Sequence, residues 1–512
     1  MSFTSLIFLC LVAVSLVVYY SIPGKVRWVV LLAADYVFYI YSGTAMAGYL
    51  VAATAVTFIA GLWLERLNAK KAAMPKSELK KKKKTVAAAA LIFNFGMLYI
   101  LKYLSGTAAF ISHITGLELP EFSLAIPLGV SYYIFQSCGY VIDCYRGRYK
   151  AEHNFFKYAL FVSFFPQIIQ GPISRHRDLG KQLTEPHEFD YENIRSGIQL
   201  MLWGYFKKLV IADRAGVLVN TVFGDYNNYT GSIIITAVIF YCIQLYCDFS
   251  GGIDIARGTA QLFGINLTEN FKRPLFADSV ADYWRRWHIT LGSWMRDYVF
   301  YPISLSKPFT RLGKFSRKKF GGIFGKILPT SLATFIVYLI IGIWHGSSIK
   351  YIAFGLWNGS IITASLLLEP AFVKICARLG IDRESSGWHI FRIMRTAIIV
   401  FLGRYMTRAA SFLSAIAMLK ASFTSFGAHA LLDGTLMQLG MTKMDFMVVA
   451  AGVVGMLIVE AFQERGVRIR MTLAQKSRNV QFIGMLVPCL VVIVFGIWIK
   501  GDITAGFIYM QF

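Results

Sequence analysis

Long apolar runs recur along the chain and are separated by short polar or basic segments. A helix needs about 20 mostly apolar residues to cross the hydrocarbon core of a bilayer, so such runs predict membrane-spanning helices. The pattern predicts an all-α polytopic membrane protein with about eleven crossings. The runs cover residues 3–21, 26–41, 47–64, 86–104, 194–210, 233–247, 327–344, 349–368, 390–402, 444–461 and 482–499.

Two further apolar segments carry too many polar or helix-breaking residues to be simple spans. Residues 127–150 include Gln136 and Asp143, and we expect a broken or re-entrant helix that lines a cavity. The run 155–169 leads into Pro166–Arg175, which contains two prolines and two glutamines. Backbone of this kind at membrane depth needs protein or water as its neighbour, and not lipid.

Residues 278–302 concentrate tryptophan, arginine and histidine in one stretch. The spacing predicts one helix that begins at an N-cap formed by Ser279 and Asp282 and stops at Pro302. A helix with one polar face either lines a protein-enclosed cavity or lies at the membrane interface, and the rest of the chain favours the cavity wall. The aromatic face would carry Trp284, Trp287, His288, Leu291, Met295 and Tyr298, and the polar face Asp282, Arg286, Thr290, Ser293 and Asp297.

Composition supports the membrane interpretation, because 56% of the residues are hydrophobic and only 16% are charged. The formal net charge is +24, but the basic residues cluster between apolar runs, which favours the positive-inside rule over nucleic-acid binding. A loop with Lys70, Lys71, Lys76 and the run Lys80–Lys84 is predicted to be cytoplasmic, which places both termini outside the cell. The lysines could alternatively bind anionic lipid head groups.

Two histidines, His288 and His345, are embedded in strongly apolar or aromatic sequence. Neutral imidazole can act as a general base near neutral pH, whereas a packing role is the alternative for each residue. Asp248, Asp254 and a Gly-Gly break at 251–252 suggest a polar pocket in which ionisable groups pair. The remaining histidines lie in or near polar segments and are expected to be mostly solvated: His113, His153, His176, His187, His389 and His429.

The chain contains no motif for metalloprotease, nucleophile-elbow or Walker-type chemistry. Its seven cysteines form no CxxC pair, so neither a disulfide framework nor a metal site is indicated. Four other motifs resemble the membrane-bound O-acyltransferase family, in particular the bacterial alginate O-acetylation branch, with teichoic-acid D-alanylation proteins as near relatives. These motifs are WRRWH at 284–288, WHG at 344–346, FFPQIIQGPISR at 164–175 and YCDFSGGIDIARG at 246–258.

The resemblance implies a ring of tilted helices around a central tunnel with re-entrant and amphipathic helices. It implies one domain over residues 1–512, with N-terminal spans in 1–125, a catalytic core in 126–370 and C-terminal spans and a tail in 371–512. His345 would be the catalytic base and His288 a second functional histidine. The tunnel or substrate-binding residues would include Gln170, Asp248, Asp254, Trp284, Arg285, Arg286, Trp287 and Asn358.

The implied reaction moves acetyl from cytosolic acetyl-CoA across the cell membrane for O-acetylation of an extracellular polysaccharide. No bound cofactor, metal or nucleic acid is expected; the partners would be membrane lipids, the polysaccharide and an extracellular acetyltransferase similar to SGNH hydrolases. Arg285, Arg286 and Arg296 could hold coenzyme A phosphates or could form ion pairs with Asp282 and Asp297.

The tail sequence FIYMQF resembles an aromatic C-terminal motif of the same branch. In that motif a tyrosine carries the acyl group, and the matching residue is Tyr509. An interfacial tyrosine is the alternative. Two other functions remain open at this point: D-alanyl transfer to teichoic acid, and transport of a polysaccharide or lipid.

Overall fold

The computed structural model describes residues 1–41, 43–120, 124–498 and 507. Over these residues the secondary structure is helical, and the one β-type contact is an isolated antiparallel bridge between Phe271 and Trp287. The prediction of an all-α protein is confirmed.

The helices follow one another with short connections. The first are α1 (Leu6–Ser21), α2 (Arg27–Ile40), α3 (Thr44–Ala69), α4 (Lys76–Lys102), α5 (Leu104–Thr115), α6 (Val130–Arg146), α7 (Phe155–Ser163), α8 (Phe165–Ile168) and α9 (His176–Thr184). Next come α10 (Tyr191–Tyr205), α11 (Asp213–Gly224), α12 (Gly231–Leu262), α13 (Val280–Arg286), α14 (Ile289–Met295) and α15 (Tyr301–Ser304). The last are α16 (Lys307–Phe320), α17 (Gly322–His345), α18 (Ile349–Arg378), α19 (Ser386–Arg408), α20 (Phe412–Thr424), α21 (Lys443–Glu464), α22 (Ile469–Ala474) and α23 (Arg478–Phe495).

Shorter helical turns complete the described chain. Two segments are π-helical, Phe206–Ala212 and Arg296–Phe300. The 3-10 turns are Gly24–Val26, Lys70–Ala72, Tyr226–Asn228, Pro274–Phe276, Ala428–Leu431 and Thr435–Gln438.

Seven of the described helices are long and apolar enough to cross a membrane, and they lie within α3, α4, α12, α17, α18, α21 and α23. Helices α1 and α20 are also apolar but shorter. The chain is therefore a multi-pass membrane protein, and the total of about eleven crossings stays a prediction.

The lysine run is part of a helix, and the prediction of a basic loop there is wrong. Pro75 precedes α4, which begins at Lys76 and continues through Lys80–Lys84. Lysine is a good helix former, and Lys82 forms an ion pair of 2.8 Å with Glu78 one turn earlier. The lysines therefore extend α4 beyond its apolar part.

The chain divides into two compact units that alternate along the sequence. The first unit contains residues 1–208, 249–269 and 469–512, and the second contains residues 209–248 and 270–468. The single domain with three sections that the resemblance implies stays a prediction.

In the first unit, glycines bring α10 and α12 into backbone contact. A Cβ on Gly204 would lie 2.5 Å from the Gly251 carbonyl oxygen, and a Cβ on Gly258 would lie 2.6 Å from that of Gly197. Helix α12 runs through Gly251 without interruption, so the predicted Gly-Gly break is wrong. These glycines allow α10 and α12 to pack closely, and they do not form a turn.

The irregular segment after α7 is enclosed by protein, as expected. Asp35 accepts hydrogen bonds from the Phe165 backbone N–H at 2.7 Å and from the Ser163 hydroxyl at 3.0 Å, where α7 gives way to α8. A buried carboxylate thus satisfies a backbone donor that the helix break would leave unpaired. Helix α6 is continuous and almost entirely buried, so it is not broken, and the alternative of a re-entrant helix stays a prediction.

Candidate active site

The stretch 278–302 is not one helix. Ser279 caps α13 as predicted, with its hydroxyl accepting from the Asp282 N–H at 3.1 Å. Helix α13 ends at Arg286, and His288 adopts a left-handed conformation with φ 49° before α14 begins. Pro302 does not stop a helix but lies in the first turn of α15, where its missing N–H is tolerated.

A neighbouring segment supplies the hydrogen bonds that the break removes from the helix. The Ile289 N–H donates to the Asn270 carbonyl at 3.0 Å, and the Lys272 N–H donates to the Arg286 carbonyl at 2.9 Å. The Asn270 side-chain oxygen accepts from both the N–H and the hydroxyl of Thr290, each at 2.9 Å. Asn270 therefore fixes the left-handed residue His288 in place.

The same asparagine determines which nitrogen of His288 carries the proton. Nδ1 of His288 lies 3.3 Å from the Asn270 amide nitrogen and 3.4 Å from the Asn270 side-chain oxygen. Because that oxygen already accepts two bonds from Thr290, we assign the amide nitrogen as the donor to Nδ1. Nδ1 is then an acceptor, which assigns the proton to Nε2. Burial lowers the pKa of His288 to about 3, so the imidazole is neutral at neutral pH.

His345 is the last residue of α17 and is buried among aromatic rings. Its ring centroid lies 4.8 Å from that of Trp344, 6.0 Å from Phe354 and 6.2 Å from Tyr351. A Cβ on Gly346 would lie 2.7 Å from the Tyr351 ring, so the glycine of WHG permits this approach. At the C-terminal end of a helix, the macrodipole favours a positively charged imidazolium.

Trp344 connects the two histidines. Its ring lies 6.1 Å from His288 on one side and 4.8 Å from His345 on the other. Phe354, whose ring lies 6.0 Å from His345, also lies 6.1 Å from the Trp284 ring and so connects α13 to α18. The Trp284 indole N–H donates to the Asn358 side-chain oxygen at 3.0 Å. The second unit thus brings together both histidines, Trp284 and Asn358.

Trp287 packs away from this cluster. Its ring lies 4.9 Å from Phe271 and 5.5 Å from Tyr283, and the Arg404 guanidinium lies 5.1 Å from its centroid. The predicted common face of Trp284 and Trp287 is wrong, because α13 ends before Trp287.

The arginines of the motif form ion pairs. Arg286 contacts Asp282 at 2.7 Å and Glu464 at 2.8 Å. Arg285 contacts Asp282 at 3.3 Å but leaves 69% of its side chain exposed, and Arg296 contacts Asp297 at 3.3 Å with 59% exposed. Binding of coenzyme A phosphates by these residues stays a prediction, and Arg286 has the more complete set of protein partners.

Comparison with known proteins identifies the family. The model of the membrane-bound O-acyltransferase family matches residues 148–317. A "Probable alginate O-acetylase AlgI" of Pseudomonas syringae pv. tomato is 30% identical over 433 residues, which are 83% of this chain and 76% of that protein. The chain belongs to the membrane-bound O-acyltransferase family. It is therefore an O-acyltransferase.

Two other relatives match shorter parts of the chain. A peptidoglycan O-acetyltransferase of Helicobacter pylori is 31% identical over 50% of this chain and 50% of its own length. A teichoic acid D-alanyltransferase of Bacillus subtilis is 28% identical over 44% of this chain and 55% of its own length. The family model covers His288 but ends before His345.

Three further predicted site residues are divided between the two units. Asp248 belongs to the second unit and is buried, whereas Asp254 and Gln170 belong to the first unit. Asp254 forms the expected ion pairs, at 3.5 Å with Arg257 and, unexpectedly, at 2.7 Å with the buried Lys207. Lys207 lies within the apolar run 194–210, and helical periodicity carries no signal for its partner on α12.

Gln170 is fully buried beside α12. A Cβ on Gly252 would lie 1.5 Å from its side-chain nitrogen, so the carboxamide occupies the space that the glycine leaves. Neither polar atom of this carboxamide has a hydrogen-bond partner among the described residues. A buried amide without partners is costly, which is consistent with the predicted substrate-binding role.

His176 is not solvated, contrary to expectation. Its ring lies 4.8 Å from Phe161 and 5.2 Å from both Tyr140 and Tyr149. Burial lowers the pKa of His176 to about 4. Its position at the start of the polar helix α9 gave no indication of these aromatic neighbours.

Tyr509 lies outside the described residues. Phe507, two positions earlier, is described and buried, with its ring 5.9 Å from Phe3 and with the Lys208 ammonium 4.5 Å from its centroid. Over the described residues, no group of three or more His, Cys, Asp or Glu side chains is placed to hold a metal ion.

Proposed function

We propose that this O-acyltransferase moves acetyl from cytosolic acetyl-CoA across the cell membrane for O-acetylation of an extracellular polysaccharide, with His345 as the general base. The observation that carries the proposal is the buried cluster in which Trp344 contacts both His345 and His288. The family resemblance implies that His345 is the base, and the different surroundings of the two histidines support different roles for them.

In the proposed step, the oxygen of an acceptor hydroxyl attacks the carbonyl carbon of the thioester. His345 takes the hydroxyl proton, the new C–O bond forms and the C–S bond breaks. The proton then passes from the imidazolium to the leaving thiolate, so that His345 returns to its neutral form. The position of His345 at the end of α17 favours the transient positive charge.

His288 has the complementary role in this proposal. Its Nδ1 accepts from Asn270, so Nε2 carries a proton that can be donated. A buried N–H donor stabilises the negative charge that develops on the carbonyl oxygen during attack. We therefore propose that His288 orients and polarises the acyl group and that it does not act as a base.

Acetyl is preferred over D-alanyl because the O-acetylation relatives match more of the chain. The Pseudomonas syringae protein named as an alginate O-acetylase aligns with 83% of this chain, and the Bacillus subtilis D-alanyltransferase with 44%. The family resemblance implies that the acetyl group is supplied from the cytosol, and acetyl-CoA is therefore the proposed donor. An extracellular partner similar to SGNH hydrolases would complete the transfer to the polymer.

Tyr509 is proposed to carry the acetyl group between the two proteins. A phenol is a weak nucleophile at its ordinary pKa and needs a base such as His345. Mass spectrometry of the purified chain should find an acetyl ester on Tyr509, and Tyr509→Phe should abolish transfer. Normal transfer by that variant would contradict this role.

The acetyl and D-alanyl content of surface polysaccharide, measured in cells with and without this protein, tests the proposed function. Loss of acetyl esters with unchanged polymer and unchanged D-alanine is expected. Loss of D-alanyl esters would instead favour D-alanyl transfer. If the amount of surface polymer fell while its acetyl content per sugar stayed constant, transport would be the better account.

A further inference from the structure

The segment that joins α21 to α23 is strongly basic. Residues 465–478 contain five arginine or lysine residues and no aspartate or glutamate, and α22 lies within them. The helices on either side, α21 and α23, are both long and apolar enough to cross a membrane. A basic connection between two spans is expected in the cytoplasm, so a ligand of this segment would come from the cytoplasm or from the inner leaflet.

Arg470 on α22 connects this segment to α10 and α12. Its Nη1 donates to the Ser196 carbonyl oxygen at 3.0 Å and to the Gln261 side-chain oxygen at 3.2 Å. Both acceptors are neutral, and Arg470 forms no ion pair with any residue that the structure describes. The other N–H groups of this guanidinium are therefore available to a ligand.

A second guanidinium, that of Arg257, lies further along α12. It is four residues from Gln261, which is one helical turn or about 6 Å. Arg257 contacts Asp254 at 3.5 Å, whereas the buried Lys207 lies closer to Asp254, at 2.7 Å. The Nε of Arg257 is buried and has no hydrogen-bond partner in the described part of the chain. Asp254 thus mainly compensates Lys207, and Arg257 keeps an unused hydrogen-bond donor.

The two arginines act on each other electrostatically. Burial lowers the pKa of Arg470, and the like charge of Arg257 lowers it further. The carboxylates of Asp254 and Glu269 oppose this lowering of the pKa but do not reverse it. Two like charges that are partly removed from water repel each other, and an anion bound between them would stabilise both.

The arginines of the WRRWH motif are paired more completely. Arg286 contacts two carboxylates, at 2.7 and 2.8 Å, and Arg285 contacts one at 3.3 Å. An anionic ligand would have to displace these carboxylates. Arg470 has no carboxylate to displace among the described residues, and the contact of Arg257 with its carboxylate is longer, at 3.5 Å.

We propose that Arg257 and Arg470 bind a phosphate group at the cytoplasmic end of α12. Each planar guanidinium can donate two parallel hydrogen bonds to phosphate oxygens. The side chain of Arg257 is 19% exposed, so a ligand can reach it. The phosphate belongs to coenzyme A or to an anionic phospholipid of the inner leaflet, because both present this group on the cytoplasmic side. The inference rests on the proposed function only where coenzyme A is the source.

Binding to the purified full-length protein in detergent tests the proposal without turnover. Coenzyme A is compared with pantetheine, and phosphatidylglycerol with diacylglycerol of the same acyl chains, because the second compound of each pair lacks phosphate. Native mass spectrometry measures binding, and thermal unfolding reports stabilisation by the ligand. At least one phosphate compound should raise the Tm and bind at least about tenfold more tightly than its phosphate-free counterpart.

Substitutions locate the site and identify the source of the phosphate. Arg470→Gln and Arg257→Gln each remove one guanidinium and should weaken binding of the phosphate compound at least about tenfold, with no change for its phosphate-free counterpart. The compound whose binding they weaken is the source. Arg470→Lys keeps the charge without the planar fork and should lose less affinity. Arg465→Gln is the matched control, because Arg465 is an exposed residue of the same basic segment, and its binding should equal that of the wild type.

Two outcomes would overturn the proposal. One is equal affinity for each phosphate compound and its phosphate-free counterpart. The other is unchanged phosphate binding by folded Arg470→Gln and Arg257→Gln proteins, with or without a loss of binding in Arg285→Gln. A surface polymer that kept its acetyl esters in cells without this protein would contradict the proposed function and would leave these binding results unchanged.

Discussion

At the scale of single residues, Asn270 determines what His288 can do. Its amide nitrogen donates to Nδ1 of His288 while its oxygen is held by Thr290, so the imidazole presents a donor at Nε2. The sequence identified His288 through its aromatic surroundings. It carried no signal for Asn270, which lies 18 residues earlier and meets the histidine only through the folded backbone.

Asn270→Asp should reverse this hydrogen bond, because a carboxylate can only accept. The proton of His288 would then move to Nδ1, and Nε2 would lose its donor. We expect acetyl transfer to fall by about 10²–10³-fold, as for the loss of one oxyanion donor. Nitrogen NMR of labelled histidine should show the change of tautomer.

Thr290→Val serves as the control for Asn270→Asp, since it removes a hydroxyl bond to Asn270 but leaves the amide nitrogen in place. A change of less than about tenfold is expected. If Asn270→Asp kept the original tautomer and still lost activity, Asn270 would have a purely structural role.

A second prediction at the scale of residues is that the buried His176 makes the protein less stable in acid. Its pKa is about 4 in the folded protein against 6.5 ordinarily, so the unfolded chain takes up the proton first as the pH falls. Above pH 6.5 the neutral His176 makes its full contribution to the free energy of unfolding. That contribution is lost as the pH falls from about 6.5 to about 4, and the total loss is about 3 kcal/mol.

His176→Phe should therefore lose less stability than the wild type between pH 7 and pH 4.5, measured as Tm in detergent. His288, with a pKa of about 3, should leave part of the pH dependence in place. Identical losses of Tm in the two proteins would show that His176 does not titrate on unfolding.

At the scale of helices, the hydrophobic pattern predicted where the long helices lie. It did not predict where helices break or where two helices approach closely. Apolar runs predicted the long helices α3, α12 and α17, because hydrophobic length is a local property of the sequence. The left-handed turn at His288 depends on Asn270, and the close packing of α12 against α10 depends on the facing Gly204. Such partners become visible only when distant segments are packed together.

Gly342 offers a test of helix packing beside the active site. A Cβ there would lie 2.6 Å from the Tyr351 carbonyl oxygen and 2.9 Å from the Gly355 Cα, three residues before His345. Gly342→Ala should separate α17 from α18, lower stability by about 1–3 kcal/mol and reduce transfer.

Gly387→Ala is the control for Gly342→Ala, because no heavy atom lies within 4 Å of its added Cβ. Stability and transfer of this variant should match the wild type. An active and stable Gly342→Ala protein would show that the backbone contact between α17 and α18 does not position His345.

At the scale of the whole molecule, the charge distribution makes a prediction about orientation. The basic N-terminal end of α4 is expected in the cytoplasm, and both chain termini are expected outside. Epitope tags before Met1 and after Phe512 should bind antibody on intact cells or spheroplasts. Staining that required permeabilisation of the membrane would reverse the predicted orientation.

In the proposed function, both histidine motifs take part in one reaction, and these two motifs were the most informative part of the sequence. His288 of WRRWH and His345 of WHG are 57 positions apart in the chain, yet Trp344 contacts both histidines. The sequence indicated the two histidines but not that Trp344, Tyr351 and Phe354 pack around His345, because aromatic residues are common throughout a membrane protein.

The central claim is that His345 is the base, and the acetyl content of surface polysaccharide in cells that carry only His345→Ala tests it most directly. At matched protein levels and with an unchanged unfolding temperature, acetylation should fall by at least about 10²-fold. Acetylation at the wild-type level would contradict the account.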